Sequence, residues 1–148
     1  WMRASASIPV ASRPVMLGGK RLLDGGVSDP IPVKWMLSRG YEKNVVVLTR
    51  DVKYRKKANP KMQLFLKAVL HKYPAFLKDL EERHIHYNET LEELASLEKE
   101  GRIHIIRPSS PIQAAMIERD ESNLERIYQT GRADMKKDLE KLKAYLDS

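Results

Sequence analysis

No cysteine occurs in the chain, which removes disulfides, thiolate nucleophiles and cysteine-ligated zinc and is compatible with a reducing compartment. No apolar run approaches the roughly 20 residues needed to span a bilayer, and no basic start followed by an apolar stretch marks a signal peptide. The expected location is therefore cytoplasmic, with at most a peripheral hold on a membrane. Aromatic residues are sparse, at 7%, and form no ladder of the kind that stacks on bases, so nucleic acid is not an expected partner. There is no internal repeat and no low-complexity tract. No cofactor is expected.

What the 148 residues do hold is 42% hydrophobic and 32% charged, a balance that suits a chain able to bury a core. The formal net charge of +7 matters less than its placement. Lys136, Lys137, Lys141 and Lys143 alternate with Asp134, Asp138 and Glu140 and read as a solvated helix face. Lys53, Tyr54, Arg55, Lys56 and Lys57 form a denser run. It admits a plain solvated loop, contact with an anionic lipid or headgroup surface, or nucleic acid, in that order.

Trp1 to Ser7 has no initiator at its head and reads as the last turns of a helix stopped by Pro9, so the chain is expected to begin inside a longer protein. Pro14–Leu17 and Lys20–Leu23 flank Gly18-Gly19, the pattern of a tight β-hairpin. The second strand runs into Asp24-Gly25-Gly26. A short helix is expected over Val33–Arg39, with Pro32 at its start and Gly40 at its C-cap. Asn44–Thr49 is a continuous β-branched run, as expected of a strand buried on both faces.

A long helical region follows, with Met62, Leu64, Phe65, Leu66, Val69, Leu70, Phe76, Leu77, Leu80, Leu91, Leu94 and Leu97 at helical spacing and Pro74 dividing it. Its stripe is either ordinary core or a cover that touches lipid, which exposure of Phe65, Leu66 and Phe76 would favour. Arg102–Ile106 reads as a further strand, Pro108–Pro111 as a loop, and Ser122–Leu146 as a helix that Gly131 could break. Strands alternating with helices point to an α/β sheet with crossover helices.

Together, Arg3-Ala4-Ser5-Ala6-Ser7-Ile8-Pro9, the hairpin Pro14–Leu23 and Asp24-Gly25-Gly26-Val27-Ser28-Asp29-Pro30-Ile31-Pro32-Val33 resemble the second half of the catalytic core of bacterial patatin-like phospholipases. The resemblance continues through Asn44–Arg50 and in the tail from Glu118 through Met135. It implies a partial three-layer α/β sandwich with a mainly parallel sheet, flanking helices and a β-hairpin, its N-terminal half absent. Residues 1–108 would be the C-terminal part of the catalytic domain, including the helical region at about 61–100. Residues 109–148 would be a helical extension packed on the same domain.

The implied activity is acyl-ester hydrolysis of a phospholipid or related lipid by a Ser–Asp dyad. Asp24 would accept the serine's proton and Gly25 and Gly26 would support it. Such a family carries its serine in a Gly-x-Ser-x-Gly elbow, with a separate glycine-rich oxyanion loop. Neither string occurs here, so this piece alone is expected to be inactive. Gly26-Val27-Ser28-Asp29-Pro30 lacks the last glycine, which makes Ser28 a poor nucleophile. An exposed sheet edge would leave the fragment open to dimerisation. The competing expectation is a non-catalytic α/β module that binds an anionic partner or membrane surface.

Other residues carry weaker signals. His84 and His86 have a spacing found in some metal sites, but on a helix they diverge and lack a third ligand, so no metal is expected. His104 reads as a surface or edge residue of a strand, and His71 as a helix residue beside Lys72. Ser5 and Ser7 are expected to cap backbone, Trp35 and Met36 to lie in the core, and Asp29 to shape the turn before Pro30.

Overall fold

Gly18 and Gly19 take φ values of 56° and 73°, a left-handed pair that non-glycine residues rarely adopt. They close an antiparallel hairpin between β1 (Val15–Leu17) and β2 (Lys20–Leu22), with Val15 opposite Leu22. The computed structural model describes residues 1–115 and 118–148. Residues 116 and 117, inside the expected C-terminal extension, lie outside the described residues. The chain forms two compact units, Trp1–Pro32 with Lys56–Leu91, and Val33–Arg55 with Glu92–Ser148.

The first unit holds α1 (Met2–Ser5), the hairpin, a 3₁₀ turn over Gly25–Val27, α3 (Pro60–Leu70) and the first part of α4 (Pro74–Lys99). The boundaries of the long helices follow from local chemistry. Asn59 caps α3 by accepting a hydrogen bond from the Met62 N–H at 3.1 Å, and Pro60 opens the first turn, where a missing N–H costs nothing. Pro74 opens α4, so the expected division of the helical region falls where the sequence places it. Ala4 and Val27 are buried in this unit.

The second unit holds α2 (Val33–Ser38), β3 (Asn44–Val47), the end of α4, β4 (Ile103–Ile106) and α5 (Glu121–Asp147). Strands β3 and β4 pair in parallel, Asn44 opposite Ile103 through Val47 opposite Ile106. A parallel pair needs a long crossover, and α3 and α4 intervene in the chain between them. Val33, Leu48, Leu94, Leu97, Ile103 and Ile105 form the buried apolar set of this unit.

Three expectations are corrected. Strand β3 is not buried on both faces: Asn44 is buried and Val46 half-buried, whereas Val45 and Val47 are 41% and 68% exposed. Side chains alternate across a strand, and on the second face α5 lies against β4 at His104, which leaves Val45 and Val47 beside it exposed. Trp35 is half exposed at 52% and carries the Arg39 guanidinium 4.9 Å above its ring, while Met36 is half-buried. Val33, Met36 and Leu37 share the inward face of α2, and Trp35 falls opposite them. Gly131 does not break α5, which runs uninterrupted through it.

Helix α5 begins at a carboxylate-rich cap. The Asp120 side chain accepts from the N–H groups of Ser122 and Asn123 and from the Ser122 hydroxyl. These bonds, the hydroxyl first, hold its pKa below the ordinary aspartate value. Glu118 is lowered too, chiefly by the Asp120 N–H and then by the Asn123 side chain. Asp134, one helical stretch on, is lowered mainly by the Ser109 N–H.

Among the described residues the architecture is thus mixed α/β, helix-rich, with two sheets of two strands each. Among the described residues no helix is long and apolar enough to cross a membrane.

Candidate active site

Asp24 leaves β2 just before the 3₁₀ turn and acts as its N-cap, with φ −55° and ψ 123°. Its backbone N–H donates to the carbonyl of Ser7 at 2.9 Å. Ser7 is itself buried, and its hydroxyl donates back to the Arg3 carbonyl at 2.7 Å. The segment after the hairpin is thereby tied to the end of α1. The Asp24 side chain is half-buried. Its Oδ1 accepts from the Gly26 N–H at 2.8 Å, and among the described residues Oδ2 has no hydrogen-bond partner. One carboxylate oxygen is held by backbone, and the other is left able to accept a hydrogen bond or a proton.

The two glycines differ in what they contribute. Neither takes a positive φ, so a left-handed backbone is not the reason for them. A Cβ at Gly26 would stand 3.2 Å from Asp24 Oδ1, tighter than ordinary contact, whereas a Cβ at Gly25 would meet nothing within 4 Å. Gly26 makes room for the carboxylate; Gly25 does not.

The turn is braced from α4. Arg83 Nε donates to the Gly26 carbonyl at 2.7 Å, a charge-assisted bond to the backbone beside Asp24. Arg83 lies 57 positions from Gly26 and carries no motif, so only folding brings it there. Beside the same turn, Val27, Ser28, Asp79 and His86 line an open cavity of about 240 Å³. The Ser28 hydroxyl is exposed and its bond to the Gly25 carbonyl is long, 3.4 Å, with no base among its hydrogen-bond partners.

The remaining candidates separate. His84 Nδ1 lies 2.9 Å from the Glu81 carbonyl, and His86 sits between Glu82 and Glu89 on its own helix. No cluster able to hold a metal ion occurs among the described residues. His71 contacts the Ala68 carbonyl. His104 is not a surface residue: its side chain is 13% exposed, bonded through Nε2 to Asp138 and stacked on Tyr145. Alternation in a strand could not reveal that, because α5 supplies both partners. Asp29 donates its N–H to the Gly25 carbonyl at 2.9 Å, closing the turn before Pro30.

The basic run at residues 53–57 is a loop. Lys53 N–H donates to Asp51 Oδ1 at 2.9 Å, and Lys56 exchanges backbone bonds with the Asn88 side chain at 2.8 and 3.0 Å.

The model of a family described as a domain of unknown function (DUF6363) matches residues 73–147, just over half of the chain. The model of patatin-like phospholipase matches residues 1–37, which include α1, the hairpin and Asp24. No curated protein matches the sequence.

Proposed function

The chain belongs to the DUF6363 family, and from that premise and the patatin-like match over residues 1–37 we propose that it is the aspartate-bearing part of a lipid acyl-ester hydrolase. Its fold would be the later portion of a three-layer α/β sandwich of the patatin type, residues 1–108, with 109–148 as a helical extension. The observation that supports this reading most is the Asp24 carboxylate, with Oδ1 held by the Gly26 N–H at 2.8 Å and Oδ2 unengaged among the described residues.

The chemistry is that of a Ser–Asp dyad. A serine hydroxyl on a Gly-x-Ser-x-Gly elbow, which this sequence does not contain, attacks the acyl carbonyl and passes its proton to Asp24 Oδ2. The tetrahedral adduct collapses to an acyl-serine as the protonated Asp24 returns that proton to the departing alcohol. Water then attacks the acyl-serine, losing its proton to the same carboxylate, and the serine recovers its hydrogen as the fatty acid leaves. The Gly26 N–H keeps the carboxylate from rotating through this cycle, and Gly26 itself leaves the space that the carboxylate occupies.

Fluorophosphonate labelling tests the dyad. A longer polypeptide that carries a Gly-x-Ser-x-Gly elbow ahead of this chain should be labelled at that serine, and Asp24→Asn should slow labelling at least a hundredfold. Equal labelling of the two forms would refute the role of Asp24. The chain without an elbow should take no label.

A further inference from the structure

Helix α3 turns one apolar stripe outward, with Phe65 exposed, while Leu66 and Leu70, like Phe76 near the start of α4, are half-buried. Gln63, Leu66 and Leu70 are its only half-buried residues, and none is fully buried. Met62, Leu64, Phe65 and Val69 are 51%, 72%, 51% and 46% exposed. Met62, Phe65 and Val69 follow the i, i+3, i+7 spacing of a single stripe.

Along the chain on either side of this stripe charge has one sign. No acidic residue occurs between Asp51 and Asp79, a span with eight lysines and arginines. Lys67 is engaged by Glu81 at 3.0 Å. Lys57, Lys61 and Lys72 are exposed, with no ion pair among the described residues. Lys61 sits within the outward face of the helix and Lys72 just beyond its C-terminal end. An apolar stripe flanked by unpaired cations, on a helix that itself carries no carboxylate, is complementary to a surface that is apolar within and anionic at its rim. A protein partner would need an acidic groove of matching shape, whereas an anionic bilayer supplies both properties without one.

We infer that α3 is an interfacial helix, laying Met62, Phe65 and Val69 into the headgroup boundary of an anionic membrane while Lys57, Lys61 and Lys72 meet lipid phosphates. This deepens the lipid-hydrolase reading by naming how the protein reaches its substrate, and it rests on that reading only for its purpose. The binding itself is independent of Asp24.

Co-sedimentation of the whole chain with vesicles tests it, using pure phosphatidylcholine and phosphatidylcholine with about 30% phosphatidylglycerol. Binding should occur on the anionic vesicles only, weaken as salt rises, and fall about fivefold for each of Lys61→Gln and Lys72→Gln. Phe65→Ser should reduce it at least tenfold with an unchanged far-UV circular dichroism spectrum, as should Met62→Ser, so the result does not hinge on one variant. Asp24→Asn should bind as the unaltered chain does. Failure of the dyad would therefore leave this result standing.

Absence of binding, equal binding to the two vesicle types, or indifference to Phe65→Ser and Met62→Ser would overturn the inference. So would a dimer that Phe65→Ser turns into a monomer, since the stripe would then belong to a second copy.

Discussion

At Gly26 a single hydrogen atom in place of a methyl group decides where a carboxylate can lie. A Cβ there would press on Asp24 Oδ1 at 3.2 Å, while one at Gly25 would enter open space. Gly25→Ala should therefore keep most of the esterase activity of the elbow-bearing polypeptide. Gly26→Ala should lower kcat about tenfold or more, with KM little changed, because it re-aims the base and leaves substrate contacts alone. Equal losses at the two positions would point to general disruption of the turn. Arg83 belongs to the same scale: Arg83→Ala removes the donor to the Gly26 carbonyl and should lower kcat while leaving the pH dependence in place, and Arg83→Lys should restore it only in part, since Nε has a fixed direction that an ammonium lacks. Sequence alone yields Asp24-Gly25-Gly26 as a motif. It does not yield Arg83, since nothing local marks which of many surface arginines will meet a carbonyl 57 residues away.

Elements were legible to the extent that local chemistry ends them. Gly18-Gly19 and Pro74 each act through their own φ or their own missing N–H, and β1–β2 and α4 turn or begin where those residues stand. Gly131 misleads because a helical glycine costs only about 1 kcal/mol against alanine, too little to interrupt α5. The exposure of Val45, Val47 and Trp35 was not legible, because burial depends on whether a distant element covers a face. Helix α5 permits a pH test. The Asp120, Glu118 and Asp134 carboxylates have folded pKa values below their ordinary ones, so their stabilisation is complete above the ordinary carboxylate range. It is lost as pH falls from there through the depressed values. Tm should thus be flat near neutrality and drop below about pH 4. Asp120→Asn keeps a capping oxygen and should leave Tm near its neutral value while making the acid decline shallower. An unchanged decline would place the acid sensitivity elsewhere.

For the molecule as a whole, the residues matched by the patatin-like phospholipase model and those matched by the DUF6363 model meet in the first unit, where Arg83 holds Gly26. The second unit rests on a small buried set in which Leu94 is 1% exposed and Ile103 is 2%. Leu94→Ala should cost about 2–5 kcal/mol in urea unfolding, a large share of a domain's stability, and a loss under 1 kcal/mol would mean that this unit is not closely packed. The central issue remains whether Asp24 is a base. The most direct measurement is kcat/KM for a short-chain nitrophenyl ester with the elbow-bearing polypeptide, before and after Asp24→Asn at matched Tm. A loss of at least a hundredfold is expected; hydrolysis at an unaltered rate would mean that the carboxylate serves only to cap its turn.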